Sequence, residues 1–422
     1  MKKLFSLVLA LAMLASMSVA GVAEAVDYTK MSADLSLMTH ASGITMDCAL
    51  WAVDKVKETY PNVNITIEPR PSDNGEVITN RAAVGDLPDI VQITGPLTAA
   101  LVQSESIIPL DNYVEEFNYF DKFSDSSIKN LFYANDGKIY QFPNGDASPI
   151  IWYYNSAVFE EHNVKVPENF DELMVAIEAF NAADVIPFAL FGQQSWPIAA
   201  FMDSFLLRET DSGFKALLDG TANASDPGYK ESFERISQAL EAGIFQEGVT
   251  NTDFDTAYSL FTQGQAAMML NGSWMISTAE KDMPETCHVM MSYPTMPADR
   301  ATEKPHIYLN SGGINGLAVN AHTENPDLVA RVAAEFNYWL LVAKHDMISD
   351  LAVPIKLDGL AELELSNLNK SLLEMMKIGN MAGLRHTYWE DKEFATVVGE
   401  EMQILLVGGS VEEFIDIVDD LK

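Results

Sequence analysis

Apolar and polar positions along the first hundred residues follow the pattern of a sheet with helices between its strands. The run "DLSLMTH" alternates like a strand, and the stretch after it has apolar residues at Met46, Ala49, Leu50, Val53 and Val56. Intervals of three, four and seven residues place these side chains on one helix face. "PNVNITIEPR" and "DLPDIVQITG" predict two more strands. This order predicts a mainly parallel sheet with helices on both faces.

The middle of the chain repeats the same order of elements. "VPENFDELMVAIEAFNAA" begins with Asn169 as a predicted N-cap and has Glu172 at capping-box spacing. "VIPFALFG" predicts the following strand, and "DPGYKESFERISQALEAG" predicts the next helix. Further on, "NPDLVARVAAEFNYWLL" begins with Asn325 as cap and has Pro326 in the first turn, where the missing N–H costs nothing. The chain therefore predicts a second α/β unit after the first.

The stretch "FTQGQAAMMLNGSW" predicts a buried strand that ends at Asn271, Gly272 and Ser273 and is followed at once by Trp274. A strand that is apolar throughout is typical of the interior of a sheet covered on both faces. We interpret its end as the edge of a cleft, where Gly272 permits a tight bend and Trp274 faces outward.

The length of 422 residues exceeds what one core usually organises and predicts two lobes. No tandem repeat or Pro/Ser-rich linker separates them, so the chain is expected to cross between lobes more than once. Stretches rich in Pro, Gly or polar residues predict these hinges. The expected hinges lie near 141–149, 292–305 and 344–354. The expected lobes are an N-terminal lobe of 26–142 plus 306–345 and a C-terminal lobe of 147–293 plus 350–422.

Residues 1–25 have the features of a cleavable secretory signal. Lys2 and Lys3 precede a short apolar run, and small residues follow up to Ala25. No cysteine stands at the expected cleavage point, so a lipid anchor is not expected. The sequence predicts a periplasmic or otherwise extracytoplasmic protein that is soluble after cleavage near Ala25.

The formal net charge of −35 argues against binding to nucleic acid or to anionic lipid headgroups. Cys48 and Cys287 are the two cysteines, and we expect both to be buried, unpaired thiols. The sequence has no G-x-S-x-G, H-E-x-x-H or phosphate-loop motif. Its seven histidines show no close metal-ligand pairing. We therefore expect no enzyme activity, no metal and no cofactor.

Five segments, in order, resemble the sugar-binding class of extracellular solute-binding proteins of ABC transporters, the class that includes maltose-binding protein. They are "GDLPDIVQI", "GKIYQFP" with the following "IIWYYNSAVFEEHNVKVPENFDEL", "FTQGQAAMMLNGSW", "GGINGLAVNAHTENPDLVARVAAEFNYWL" and "GGSVEEFIDIVDDL". Phe170 departs from the tryptophan usual in the family. The region after Thr94 also lacks the aromatic and charged residues that some relatives use on sugar, so maltose itself is not implied.

The resemblance implies the periplasmic-binding-protein type II fold: two Rossmann-like α/β lobes joined by hinge segments. It implies a monomer that traps a mono- or oligosaccharide between the lobes and delivers it to ABC permease subunits. Open parallel sheets bind ligands beyond the carboxyl ends of their strands, which agrees with this expectation.

Sugars offer hydroxyls to planar hydrogen-bonding groups and C–H patches to aromatic rings. Together with the resemblance, this chemistry selects fourteen candidate ligand-binding residues. They are Trp274, Trp196, Gln193, Asp146, Ser148, Arg385, Tyr388, Trp389, Ser42, Thr45, Thr94, Asn310, Gly312 and Gly313. For Trp274 and Trp196 the alternative is core packing. For Asp146 it is turn formation next to Gly145.

Two other functions stay open at this point. The same fold could bind a glycerol phosphate or another small anion through Arg385 and helix N-termini around "NSGG". A secreted carbohydrate-active hydrolase is the second alternative, and the missing catalytic motifs argue against it.

Overall fold

A computed structural model describes residues 26–421 apart from 72, 74, 126–128, 130–131, 145–148, 313–314, 352, 384, 387–388 and 390. The expected signal segment, 1–25, lies outside the described residues. Within the described part, no helix combines the length and apolar character needed to cross a bilayer.

Strands and helices alternate along the described chain. The strands are β1 Ala33–Thr39, β2 Val63–Pro69, β3 Ile90–Thr94, β4 Phe142–Pro143, β5 Ile150–Asn155, β6 Ile186–Ala189, β7 Ala266–Gly272, β8 Cys287–Val289, β9 Ile307–Leu309, β10 Asn315–Val319 and β11 Asn380–Ala382. The helices are α1 Gly43–Thr59, α2 Glu76–Ala83, α3 Gly95–Gln103, α4 Asp111–Glu116, α5 Ser156–Glu161, α6 Phe170–Ala182, α7 Ser195–Thr210, α8 Phe214–Leu218, α9 Pro227–Glu241, α10 Phe254–Thr262, α11 Ile276–Asp282, α12 Pro326–Ile348, α13 Asn367–Ile378, α14 Lys392–Leu406 and α15 Val411–Asp420.

The first lobe is built on a five-stranded sheet in the order β2-β1-β3-β10-β4. Strands β1, β2 and β3 are parallel, as the sequence predicts, whereas β10 runs antiparallel to β3 and β4. Helices α1 and α12 pack against each other beside this sheet. Their apolar faces meet strand side chains such as Leu35 and Leu37 in one core.

The second lobe is built on a four-stranded sheet in the order β6-β7-β5-β8. Strand β7 has all seven residues buried and pairs on both sides, which confirms the predicted interior strand in "AAMML". Strand β5 runs antiparallel to both of its neighbours. Each main sheet therefore has one reversed strand, and in each case it is the strand by which the chain enters that lobe from the other one.

The second crossing between the lobes differs from the expectation. The loop 292–305 leads into β9, which pairs with β11 and packs in the second core, so the chain is still in the second lobe at Leu309. It enters the first sheet at Asn315. The predicted boundary at 306 is wrong by several residues, because a three-residue apolar strand carries no mark of the lobe to which it belongs.

The third crossing also lies later than predicted. After α12 ends, Val353 and Ile355 pack in the first core, and Ile355 forms an antiparallel bridge with Phe123. Leu351 packs against the second core, and the chain next reaches that core at Leu368 in α13. Val353 and Ile355 belong to the first lobe, since their apolar side chains fill its core.

The loop 292–305 is held to the second lobe by a buried guanidinium on α7. Arg208 donates to Ser292 Oγ at 2.7 Å, to the carbonyl oxygen of Ala301 at 2.8 Å and to that of Glu303 at 2.8 Å, and also to the carbonyl of Tyr293. Burial lowers the pKa of Arg208 to about 10, which leaves it charged at neutral pH. These hydrogen bonds anchor the loop to the second lobe.

Both cysteines are buried and unpaired, which confirms the prediction. Cys48 lies in the first core and Cys287 in the second. Burial raises the pKa of Cys48 to about 11 and that of Cys287 to about 12, so both thiols stay protonated at neutral pH.

A buried carboxyl group on α7 makes stability depend on pH. Asp203 Oδ1 accepts a hydrogen bond from the backbone N–H of Phe214 at 2.8 Å, whereas Oδ2 has no partner within the described chain. Burial raises the pKa of Asp203 to about 8, against the weaker opposing effect of that N–H. The side chain therefore takes up a proton on folding at neutral pH.

Asp203→Asn is expected to raise the free energy of unfolding by an amount that grows with pH. Because the folded-state pKa of about 8 lies above the ordinary 3.8, the natural chain loses stability as pH rises between these values. This loss of unfolding free energy in the natural chain is absent below about pH 4 and complete above about pH 8, where it reaches on the order of 3 kcal/mol or more. Thermal unfolding at about pH 5 and about pH 8.5 measures the difference.

Asp54→Asn is the matched control, because Asp54 is exposed on α1 and loses the same charge. It should shift the melting temperature little at either pH. If Asp203→Asn raised the melting temperature equally at both pH values, the conclusion that Asp203 is protonated in the folded protein would be contradicted.

Candidate ligand-binding site

The carboxyl ends of the parallel strands in the first lobe form a polar edge. His40 follows β1, Arg70 follows β2, and Thr94 ends β3. The backbone N–H of Arg70 donates to the carbonyl of Thr39 at 2.9 Å. Gln92 Oε1 accepts from Thr39 Oγ1 at 2.6 Å and from the N–H of His40 at 2.9 Å. Hydrogen bonds therefore fix the backbone at the ends of β1 and β2.

The corresponding edge of the second lobe presents an exposed indole. Trp274 lies in a 3₁₀ turn directly after β7, and 41% of its surface is exposed. A Cβ on Gly272 would lie 2.1–2.3 Å from three atoms of this ring. Gly272 has a φ of −75°, which any residue can adopt, so the backbone here does not need glycine for the tight bend that the sequence predicted. The lack of a side chain at Gly272 instead lets the Trp274 ring approach the backbone closely.

Trp196 and Arg385 stand beside this indole. The ring centroids of Trp196 and Trp274 are 6.1 Å apart at an angle of 58°. The Arg385 guanidinium carbon lies 5.2 Å from the Trp196 centroid and 5.5 Å from that of Trp274, within cation–π range. Trp196 is 8% exposed and donates from Nε1 to Gln194 Oε1 at 2.7 Å, so it supports Trp274 more than it offers a face of its own. We call Trp196, Trp274 and Arg385 the Trp–Arg cluster.

The Trp–Arg cluster is attached to the place where two crossings run side by side. The backbone N–H of Arg385 donates to the carbonyl of Asn310 at 3.1 Å, and Pro149 forms an antiparallel bridge with Asn310. Asn310 Oδ1 accepts from the N–H of Gly312 at 2.8 Å. Gly312 has φ of +95°, so the Asn310 side chain stabilises a left-handed turn.

Charges from both lobes act on His40. Its pKa lies well below the usual range, first because surrounding protein disfavours the charged ring and second because Arg70, Lys344 and Arg385 repel it. Arg70 and Lys344 belong to the first lobe and Arg385 to the second. His40 is exposed at the end of β1, and we call the space between these polar strand ends and the Trp–Arg cluster the crevice.

One predicted site residue is a core residue. Trp389 is fully buried, with its ring centroid 5.2 Å from that of Phe214, 5.6 Å from Phe394 and 4.6 Å from His386. The prediction that Trp389 contacts a ligand is therefore wrong. The segment "RHTYWED" has no periodicity that separates an inward ring from an outward one.

Several other candidates have local structural roles. Thr45 Oγ1 donates to the carbonyl of Ser42 at 2.8 Å and accepts from the N–H of Ser42 at 3.0 Å, as part of the cap of α1. Thr94 is half-buried as the N-cap of α3. Gln193 is exposed and donates its backbone N–H to the carbonyl of Thr252. Ser42, Thr45 and Thr94 remain at the first-lobe edge as predicted candidates.

Four candidates fall outside the described residues: Asp146, Ser148, Gly313 and Tyr388. Sequence reasoning also missed four residues at or beside the crevice: His40, Arg70, Gln194 and Lys344. His40 and Arg70 could have been found, because each is the last residue of a stretch predicted as a parallel strand. Lys344 carries no such signal, since it lies on a helix far along the chain.

A separate pocket of about 190 Å³ lies on the first lobe between α1 and α12, with Tyr60, Arg331 and Trp339 in its wall. It is next to the C-terminal end of α1, whereas the crevice is at the other end of this helix, roughly 25 Å away. Arg331 is already paired with Glu116 at 2.6 Å. Within the described ranges, no three His, Cys, Asp or Glu side chains are grouped as metal ligands.

The two α/β lobes, with a crevice at their strand ends, define a two-lobed ligand-binding protein. Residues 51–344 match the family of bacterial extracellular solute-binding proteins, and the chain belongs to this family. The helices and strands form the two-lobed type II fold that the sequence predicted.

Known relatives are distant in sequence. The chain is 27% identical to the multiple sugar-binding protein of Streptococcus mutans over 252 residues, which cover 57% of each chain. It is 24% identical over 241 residues to an uncharacterized ABC transporter extracellular-binding protein of Pyrococcus horikoshii, with 56% of this chain and 55% of the relative covered. The chain thus spans about half the length of the curated relatives it matches.

Solved structures share the fold over nearly the whole described chain. One comes from work on xylan utilization by the thermophilic bacterium Caldanaerobius polysaccharolyticus, with a TM-score of 0.77, 23% identity and coverage of 92% of this chain and 99% of that one. Another is the maltose/maltodextrin-binding domain MalE of Bdellovibrio bacteriovorus bound to maltotriose, with a TM-score of 0.70, 17% identity and coverage of 92% and 99%.

Proposed function

We propose that this protein captures a mono- or oligosaccharide in the crevice between its lobes and delivers it to the permease subunits of an ABC transporter. The observation that carries the proposal is the exposed Trp274 ring, which lies against Gly272 and beside Trp196 and Arg385 at the crevice. A flat, well-supported indole is a platform for the C–H face of a sugar. The polar strand ends opposite supply hydrogen-bonding groups for hydroxyls.

The comparisons support a sugar as the ligand. The Streptococcus mutans relative is named a multiple sugar-binding protein, and the Bdellovibrio bacteriovorus domain is bound to maltotriose. Micromolar affinity corresponds to about −8 kcal/mol, which a stacked ring and several hydrogen bonds can supply.

The proposal includes no chemistry on the ligand. The protein acts as an extracytoplasmic monomer, soluble after removal of residues 1–25, and a different subunit of the transporter hydrolyses ATP. It needs no metal or cofactor. Closure of the lobes around the ligand places contacts on both sides of the sugar.

Native mass spectrometry of the protein secreted by its host tests capture and export together. We expect a polypeptide mass that begins at Val26 without acylation, with a non-covalent adduct of saccharide mass that disappears on unfolding. A thermal-shift screen against mono- to tetrasaccharides then identifies the ligand, because a ligand that binds only the folded state raises the melting temperature.

Failure of every saccharide to raise the melting temperature of verified unliganded protein would contradict sugar capture. Release of smaller sugars during incubation with the same panel would favour a hydrolase. An acylated N-terminus would contradict the soluble form but not sugar capture.

A further inference from the structure

Three cations act on His40 at the crevice of a strongly acidic chain, although Asp47 and Asp350 accompany Lys344 around the adjacent Cys48. The sequence has 61 Asp and Glu against 26 Lys and Arg. A typical surface position therefore has acidic neighbours, yet the described charges that shift the pKa of His40 are Arg70, Lys344 and Arg385, all of them cations. A crevice with one sign of charge focuses the field and attracts a ligand of the opposite sign.

Lys344 is the clearest of these cations. It is half-buried near the C-terminal end of α12, which approaches the second lobe through a hydrogen bond from Ser277 Oγ to the carbonyl of Ile348 at 2.6 Å. Within the described chain, Lys344 forms no ion pair. Some cations elsewhere are paired with carboxylates, such as Arg235, which lies 2.7 Å from Glu209. A ligand anion beside Lys344 would give this ammonium a partner of opposite charge.

Arg385 connects this charge to the sugar platform. Its guanidinium lies 5.5 Å from the centroid of Trp274 and 5.2 Å from that of Trp196, while its backbone is fixed to Asn310. A sugar ring stacked on Trp274 would carry its exocyclic substituents next to this group. Hydrogen bonds from guanidinium to an anionic oxygen are about twice as strong as neutral ones.

We infer that the ligand is an anionic saccharide, whose ring stacks on Trp274 and whose carboxylate or sulfate lies between Arg385 and Lys344. This inference rests on the proposed function, because it requires a sugar in the crevice. It differs from binding of a free phosphate or small organic anion, since those ligands have no ring to cover the exposed indole.

The test compares matched ligands by isothermal titration calorimetry at low salt. The probes are neutral mono- to tetrasaccharides, the same sugars with one CH₂OH oxidised to a carboxylate, the same sugars with one hydroxyl sulfated, and inorganic phosphate. We expect at least one anionic sugar to bind at least about tenfold more tightly than its neutral partner, with an advantage that shrinks as salt screens the charges.

Lys344→Met removes the charge and keeps the length of the side chain. It should reduce the affinity for the anionic sugar about tenfold and leave affinity for its neutral partner nearly unchanged. Lys57→Met is the matched control, because Lys57 is exposed and far from the crevice. It lies fourteen residues after the start of α1, which is roughly 21 Å along the helix from the crevice. Lys57→Met makes the same change in net charge and should alter neither the affinity for the anionic sugar nor that for its neutral partner.

Equal or weaker binding of every anionic sugar than of its neutral partner would overturn the inference and leave sugar capture standing. The same conclusion follows if Lys344→Met and Lys57→Met have equal effects. Binding of inorganic phosphate without any sugar, or of nothing in the panel, would overturn both the inference and the proposed function.

Discussion

Replacing Trp274 by alanine is expected to weaken saccharide binding by about 2 kcal/mol or more, roughly thirtyfold, as for truncation of a buried aromatic anchor. The ring is 41% exposed in the unliganded structure, so a stacked sugar would cover surface that water now contacts. The same substitution should lower the stability of the protein without ligand less than Trp389→Ala does, because Trp274 is already 41% exposed and only the rest packs on Gly272, Trp196 and Arg385. Titration calorimetry and thermal unfolding of one preparation measure both effects.

Trp389→Ala is the contrasting variant. The natural Trp389 ring is fully buried against Phe214 and Phe394, so its removal should lower the free energy of unfolding by about 3 to 5 kcal/mol. The folded fraction of Trp389→Ala should bind saccharide with nearly the affinity of the natural protein. Trp274→Phe keeps an aromatic platform and should recover part of the lost binding. A large fall in melting temperature for Trp274→Ala, with unchanged affinity, would show that the ring acts in packing alone.

Replacing Arg208 by alanine is expected to lower the free energy of unfolding by about 3 to 5 kcal/mol. The change removes donors from Ser292 and from the carbonyl oxygens of Tyr293, Ala301 and Glu303, and it leaves a cavity in the second core. Denaturant unfolding monitored by circular dichroism measures the loss. Hydrogen exchange should increase first in the loop 292–305.

Two variants control for loss of charge. Arg208→Lys keeps the charge but cannot reach all of these acceptors, so it should fall between alanine and the natural residue. Arg300→Ala removes a partly exposed guanidinium from the same loop, where its partners are Glu209 and Glu303. It should cost about 1 kcal/mol or less. Equal losses for Arg208→Ala and Arg300→Ala would contradict the role of Arg208 as the anchor.

The sequence was sufficient to predict the elements that have strong periodicity. Strand β7 and helix α12 are unambiguous because an all-apolar strand and a capped helix with apolar residues three and four apart have few other interpretations. The direction of a strand leaves no such mark. The expectation of mainly parallel sheets therefore did not include the antiparallel strands β5 and β10.

The candidate site was only partly predictable, for a related reason. Trp274 could be placed because it directly follows a strand that ends at a sheet edge, and in the structure it is exposed there. Trp389 follows no such strand, and its core position depends on a contact with Phe214 on α8, which lies far earlier in the sequence. Lys344 reaches the crevice only through the packing of α12 on the first lobe.

Interleaving of the lobes along the chain has a consequence for biosynthesis. Strand β10 occupies the interior of the first sheet between β3 and β4, and α12 covers α1, yet both are made after most of the second lobe. A nascent chain that has reached only Asn271 would have β3 with one open edge and α1 without its partner. The N-terminal lobe thus cannot complete its native structure until about Ile355 has left the ribosome.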